Sequence, residues 1–415
     1  MSLLLPTLNA GLLLFLIWFV WQRLPYAADK KVWLGYAALK SLAACTFVWV
    51  YSHHYGTGDM LNYIRDAEIY RTLSLPAFIG GVVGAGAPDI IIDQLVYDFD
   101  PRAILMAKMV ALAHFLPGNM WITALNFAMF GGVVIFRFYI VIKRAFPTLA
   151  IPAIGAFLLF PSLVFWTSGI CKEAVSFPAM LLVLTPLLRL KVDGETTSWV
   201  DWTLAALGAM ILWLLKYYVA AIVLPACLLF GLSTFFDWFP YRKLALGVVA
   251  YIGLLLLISQ LHPNLYLHRT MQVMVDNYEL TIRQTQPEKT AHYEGLTPDV
   301  LSFGSHFPEA VFTGLFMPLL GQQWDLPSLA VVVQNSLLLL TLIITVIGMT
   351  LKKSWKSIPA GVWALVGLII LLSGLIAITT PNFGTLDRYR VAYQPFMVLL
   401  VIAGIQQLTR TRKIP

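Results

Sequence analysis

Long apolar runs recur along the whole chain, and they constrain its fold more than any other feature. Apolar residues make up 59% of the 415 residues, and charged residues only 12%. Soluble globular proteins carry about 25% charged residues. Since a helix that crosses a bilayer needs about 20 mostly apolar residues, the sequence predicts an all-α, polytopic transmembrane helix bundle.

Eleven runs are long enough to suggest membrane spans. Their expected bounds are 4–21, 32–51, 119–142, 147–165, 174–190, 199–215, 218–236, 244–260, 328–350, 358–378 and 392–408. Three polar segments interrupt them, at 52–118, 261–327 and 379–391. We expect interfacial helices in the first two segments. Because no polar segment is long enough to fold alone, residues 1–415 are predicted to form a single integral membrane domain.

The distribution of basic residues predicts the topology. If the chain starts outside, every short basic linker falls on one face, which holds Arg23, Lys30, Lys31, Arg137, Lys143, Arg144, Arg189, Lys191, Arg242, Lys243, Lys352, Lys353, Lys356, Arg410, Arg412 and Lys413. The positive-inside rule makes that face cytoplasmic, so the C-terminus is expected inside and the three polar segments outside. The net charge of +7 is spread over these clusters, so we predict membrane lipids as surroundings and no nucleic-acid partner.

The first outer segment contains GDMLNYIRDAEIY, residues 58–70. Its first carboxylate, Asp59, could accept a proton from a substrate hydroxyl or hold a divalent cation. The alternative is that Asp59 is the N-cap of an interfacial helix. Asp66 follows seven residues later, about two helical turns, so both carboxylates could face the same way. Asp59 and Asp66 are therefore candidate catalytic residues, with Tyr63 as a candidate substrate contact.

Cationic residues mark two further outer positions. Lys172, in SGICKEAV, suits an anionic ligand such as a phosphate, and Glu173 could orient it; the alternative is a local salt bridge. Lys216 is a weaker candidate of the same kind, and a snorkelling membrane anchor explains it equally well. Lys40 differs, because it falls inside the second predicted span and should pair with an acid or face a wet cavity.

The segment Arg388-Tyr389-Arg390 comes just before the last predicted span. Arginine binds phosphate in a bidentate way and keeps its charge, so these three residues are candidate substrate contacts. Arg and Tyr also prefer headgroup depth, so the alternative is an interfacial anchor.

GDMLNY with DAEIY, PSLVFWTSGICKE and RYRVAYQPF together resemble membrane glycosyltransferases of the GT-C class. They are similar as well to the O-antigen and polysaccharide polymerase-like proteins of bacterial envelopes. The resemblance implies a polyprenyl-phosphate or polyprenyl-diphosphate sugar donor, and a glycan or lipid acceptor. It implies that Asp59 activates the acceptor as a base or through a divalent cation such as Mg²⁺ or Mn²⁺. Lys172, Arg388 and Arg390 would hold the donor phosphate.

A glycosyltransferase or polymerase acting at the outer face of the bacterial inner membrane is therefore the expected function. The alternative is a transporter or flippase for a lipid-linked or anionic solute, which Lys40 fits better. Paired repeats, which are common in transporters, do not stand out in the sequence.

Overall fold

The computed structural model describes residues 4–84, 88–190, 196–235, 241–261, 266–320 and 326–409. Regular structure in these ranges is helical, apart from an isolated bridge between Thr290 and Asn382. The predicted all-α, polytopic helix bundle is thereby confirmed, and the protein is membrane-embedded. Several basic residues used for the topology, Lys191, Arg410, Arg412 and Lys413, lie outside the described residues.

The chain divides into two compact units, and the first comprises residues 1–145 and 157–218. Its helices are α1 Leu4–Arg23, α2 Ala27–Trp49, α3 Asp59–Arg71, α4 Leu75–Val83, α5 Pro101–Phe115, α6 Met120–Ala145, α8 Pro161–Trp166 and α9 Glu173–Arg189. The first part of α10, Trp199–Phe235, completes the unit. The core forms where α6 packs along both α2 and α9, and Trp33 and Phe136 are buried in it. Against this core, α3 packs on α5.

The second unit comprises residues 146–156 and 219–415. Its helices are α7 Ala150–Ala153, the second part of α10, α11 Tyr241–Leu261, α12 Leu267–Gln284, α13 Val300–Phe316, α14 Leu326–Leu351, α15 Ala360–Thr379, α16 Phe383–Tyr389 and α17 Gln394–Thr409. The main contact in this unit is between α13 and α15, and α17 packs on α14. The expectation of one continuous domain stays a prediction.

The count of eleven spans is not confirmed. Six helices in the described part of the chain are long and apolar enough to cross a membrane, namely Leu4–Arg23, Ala27–Tyr55, Met120–Ala145, Trp199–Gly231, Ser328–Leu351 and Ala360–Thr379. A seventh span results if Phe383–Ala392 and Gln394–Thr409, which meet at a bend of 70°, are counted together.

Three of the other runs are short or lie next to a break. The run 147–165 is interrupted before Pro161, where α8 begins, and α9 has only 17 residues. The runs 199–215 and 218–236 are joined in α10, whose backbone leaves helical geometry at Lys216. Hydropathy registers apolar residues whether or not the helix that carries them is continuous, so an apolar run does not by itself establish a separate span.

Helices were expected in the first two polar segments and are present there, and the third segment contains one as well. Segment 52–118 contains α3, α4 and α5, segment 261–327 contains α12 and α13, and segment 379–391 contains α16. Residues 85–87, 262–265 and 321–325 of these segments lie outside the described residues. The location of these helices at an outer membrane surface stays a prediction.

Candidate functional site

The backbone bends sharply just before Asp59. A π-helical turn, Val50–Tyr55, extends α2 and ends at Gly56, and α3 then begins after Gly58. Gly58 has φ +122°, which side chains with a Cβ rarely adopt. Gly58 is the N-cap of α3 and Asp59 is its first helical residue, so the N-cap alternative for Asp59 is wrong by one position. The half-buried carboxylate of Asp59 instead lies where the helix dipole favours negative charge.

Asp59 and Asp66 both contact one residue, Tyr97. The Tyr97 hydroxyl donates to Asp59 Oδ1 at 3.1 Å. The backbone N–H groups of Val96 and Tyr97 donate to the buried Asp66 carboxylate at 2.7 and 3.2 Å. The Tyr63 ring packs 4.9 Å from the Tyr97 ring, centroid to centroid. Both carboxylates therefore face the same segment, as the seven-residue spacing predicts, and Asp66 fixes the position of Tyr97.

Burial changes the protonation behaviour of this group. It raises the pKa of Asp66, although the backbone hydrogen bonds from Val96 and Tyr97 oppose the shift. It also raises the pKa of Tyr97 to about 12, and the negative charge of Asp59 adds to the effect. The Tyr97 hydroxyl therefore stays protonated at neutral pH and remains a hydrogen-bond donor to Asp59.

Asp100, three residues after Tyr97, binds two cations, Lys172 and Arg102, which together with it form a cationic cluster. Lys172 Nζ is 3.6 Å from Asp100 Oδ2, and Arg102 Nε donates to Asp100 Oδ1 at 3.2 Å. Burial alone would raise the pKa of Asp100, but the charges of Arg102 and Lys172 outweigh it and lower that pKa. Because three residues span roughly 11 Å at most, the backbone at Asp100 lies close to that at Tyr97. One short segment, residues 97–100, therefore contacts Asp59 through Tyr97, and Lys172 and Arg102 through Asp100.

Glu173 and Lys216 form a separate pair. Lys216 Nζ donates to Glu173 Oε1 at 2.5 Å, and the two side chains are only 5% and 2% exposed. The pair joins the start of α9 to the break in α10. The ammonium of Lys216 is therefore turned to a buried carboxylate, and the snorkelling alternative does not describe it. Lys172 pairs across the fold with Asp100, and the alternative of a local salt bridge stays a prediction.

Lys40 is fully buried in α2, as its position in a span predicts. Its ammonium donates to the backbone carbonyl of Thr167 and to the Thr167 hydroxyl, the latter at 2.9 Å. These oxygens take the place of the predicted acidic partner. Thr167 ends α8, so Lys40 holds the start of the turn that leads to Lys172.

In the second unit, Arg390 is fully buried against the end of α13. Its guanidinium donates to the backbone carbonyls of Thr313, Gly314 and Met317. Arginine at a helix C-terminus satisfies carbonyls that have no partner within the helix. The guanidinium of Arg388 lies 5.8 Å from the Tyr389 ring centroid. The roles of Arg388, Tyr389 and Arg390 as substrate contacts stay predictions.

Sequence reasoning missed three residues of the site, Tyr97, Asp100 and Arg102. Asp100 carries a local signal, because an Asp followed by Pro is typical of a helix start, and Asp100 does cap α5 by accepting from Arg102 N at 3.2 Å. That pattern predicts a cap but no ion pair with Lys172. Nothing around Tyr97 in the sequence indicates its contact with Asp59.

A divalent cation at this site would need several ligand side chains close together. Within the described ranges, no three His, Cys, Asp or Glu side chains lie together in an arrangement that could hold a metal ion. Mg²⁺ is commonly bound by one or two carboxylates together with substrate phosphates. Asp59 can supply one such carboxylate, so the described residues do not form a complete metal site on their own.

Comparison of the chain with protein-family models, with curated proteins and with solved structures gives no match. Function is therefore inferred from the side chains of the site and from the resemblance of its motifs.

Proposed function

We propose that this protein is a membrane glycosyltransferase or polymerase of bacterial envelope polysaccharide or glycolipid synthesis. It transfers a sugar from a polyprenyl-phosphate or polyprenyl-diphosphate donor to a glycan or lipid acceptor. The observation that carries the proposal is that one short segment joins two groups: Tyr97 binds the half-buried Asp59, and Asp100, three residues later, binds the cations Lys172 and Arg102. A carboxylate for the acceptor and cations for the donor phosphate are the two parts that such a transfer needs.

Asp59 takes the proton from the acceptor hydroxyl. The acceptor oxygen then forms a bond to the anomeric carbon, and the bond from that carbon to the phosphate oxygen breaks. The electron pair leaves with the phosphate, whose new negative charge is stabilised by Lys172 and Arg102. A single displacement inverts the anomeric configuration. Tyr97 orients Asp59, and Asp66 in turn holds Tyr97 through its backbone.

The proposal places the site at the periplasmic face of the bacterial inner membrane, with the C-terminus in the cytoplasm. The positive-inside distribution of Lys and Arg supports this orientation. Lys216 and Glu173 form a buried pair that begins one residue after Lys172, and Arg388 and Arg390 are assigned to a phosphate by the motif resemblance alone.

The test compares Asp59→Asn with Asp93→Asn in cells that lack the chromosomal gene. Asp93 is exposed on the same outer segment and contacts neither Asp59 nor Tyr97 in the described hydrogen bonds, so it is a matched control. We expect lipid-linked saccharides to accumulate in the deletion strain and in the Asp59→Asn strain. The Asp93→Asn protein should clear them. Mass spectrometry of extracted lipids measures both.

Clearance by Asp59→Asn at the wild-type level would refute the assigned base. The transporter or flippase alternative is separated by the leaflet in which the saccharide accumulates. A blocked transferase leaves it on the outer leaflet, where an added glycosidase reaches it in spheroplasts. A blocked flippase leaves it on the inner leaflet, where it is protected, and that result would refute the transferase.

A further inference from the structure

An apolar groove of about 800 Å³ crosses the first unit. It lies between α1, α5, α6 and α9, and Ile211 of α10 also contributes. Among the described residues that line it, only Asn9 and Asn126 have polar side chains. Its volume falls in the range of pockets that enclose small ligands, roughly 300–1,000 Å³. Its walls, however, suit a hydrocarbon chain and not a polar ligand.

The groove starts beside the cationic cluster. Its lining on α9 runs from Ala174 to Leu182, and Ala174 is only two residues after Lys172. At 1.5 Å per helical residue, this wall is about 12 Å long. The lining on α1, from Asn9 to Phe19, is about 15 Å long by the same rise. Since the hydrocarbon core of a bilayer is about 30 Å thick, the groove is as deep as one leaflet.

One wall of the groove is loosely held. Of the described residues of α1, only Asn9 and Leu13 are buried, and both line the groove. Leu12 and Phe15, which also line it, are more than half exposed. A helix attached by so few buried residues can move aside at low cost. A lipid chain can therefore enter from the bilayer between α1 and the rest of the unit.

We infer that this groove holds the hydrocarbon chain of the lipid-linked sugar donor, with its phosphate at Lys172 and Arg102; this inference rests on the proposed function. The donor enters laterally from the leaflet on the Lys172 side. A chain gains little hydrophobic free energy on moving from lipid to an apolar groove, because lipid tails are already as apolar as its walls. The cations therefore supply the affinity, and the groove determines which chain fits and where the phosphate stops.

The experiment uses the full chain in phosphatidylethanolamine nanodiscs. The probe is a polyprenyl phosphate that carries a diazirine in its chain and no sugar. After irradiation, we expect labelled peptides from α1 and α9 that include the groove lining. Leu12→Trp and Leu112→Trp, which fill the groove from two partly exposed positions, should lower labelling about tenfold, as overpacking of a filled space does.

Leu14→Trp is the matched control, because Leu14 is an exposed leucine on α1 outside the groove lining. It should label like the wild type. Wild-type labelling of both groove variants would overturn the inference. So would complete protection by an equal concentration of phosphatidylglycerol, because the groove would then be a site for bulk membrane lipid. Because the probe carries no sugar, its binding does not depend on the proposed reaction. If Asp59→Asn clears saccharides like the wild type while the groove is still labelled, the proposed reaction is refuted but the lipid site is not.

Discussion

Removing one partner of the buried Glu173–Lys216 pair should strongly destabilise the first unit. The pair is nearly water-free, with side chains 2% and 5% exposed and an N–O distance of 2.5 Å. Exposed pairs contribute only about 0.2–1 kcal/mol, but a charge left alone in a buried site costs about 3–5 kcal/mol. We therefore expect Glu173→Leu and Lys216→Met each to lower the free energy of unfolding by about 3–5 kcal/mol.

Replacing both residues gives a different result. Glu173→Leu with Lys216→Met leaves no buried charge, and such exchanges are often neutral or stabilising. The double variant should therefore unfold within about 1 kcal/mol of the wild type. Denaturation in mixed detergent micelles, followed by tryptophan fluorescence, measures all the variants. Glu279→Gln on α12 is the control, since the Glu279–Arg283 pair has the similar distance of 3.0 Å but is 55% and 77% exposed; it should change stability by less than about 0.5 kcal/mol.

Additive effects would refute this reasoning. If the double variant loses the sum of the two single losses, within about 0.5 kcal/mol, then the two charges do not stabilise each other. The same variant also tests Lys216 as a substrate contact. A folded double variant that still binds the polyprenyl phosphate probe indicates that Lys216 is structural, whereas a folded variant that has lost binding supports the predicted contact.

Three further perturbations test other parts of the structure. Burial holds the pKa of His114 below its ordinary value of 6.5, although the hydrogen bond to Glu68 opposes the shift. The unfolded chain therefore binds more protons than the folded one, and stability should fall as the pH drops below about 6.5. In melting experiments at several pH values, His114→Gln should flatten that decline. Arg390→Lys loses the fork that holds the end of α13 and should cost roughly 1.5–3 kcal/mol, whereas unchanged melting would contradict that role. Gly169→Ala places a Cβ against the Phe47 ring and should lower the yield of folded protein, with Phe47→Ala restoring it; a folded single variant would show that the ring can move.

The class of the fold followed from hydropathy, because a run of about 20 apolar residues has few other solutions than a membrane helix. The number of spans did not follow. Pro161 starts a new short helix, and Lys216 interrupts α10, yet the residues on both sides are mostly apolar, as in a continuous span. Where a helix is interrupted depends on which residue a polar side chain contacts in the folded protein. Lys216 finds Glu173, which is 43 residues away.

The site was predictable where its geometry is local. Asp59 and Asp66 lie two turns apart on one helix, and their shared contact with Tyr97 agrees with that spacing. The contact between Tyr97 and Asp59 joins residues 38 positions apart in the sequence, and the ion pair between Lys172 and Asp100 joins residues 72 positions apart. The periodicity of a single helix cannot predict such long-range pairs. The sequence therefore indicated Asp59 and Lys172 as candidates, but not their partners Tyr97 and Asp100.

Exposure separates two kinds of polar residue in the first unit. Lys40 and Lys216 are fully or nearly fully buried, and each fixes a place where a helix ends or breaks. Lys172 and Arg102 have side chains 17% and 43% exposed, so their outer surfaces can still reach a ligand. A structural charge is worth most when water is excluded, whereas a binding charge must remain accessible to an anion. The two cations that share Asp100 are therefore the better candidates for the donor phosphate, and the buried lysines hold the backbone that presents them.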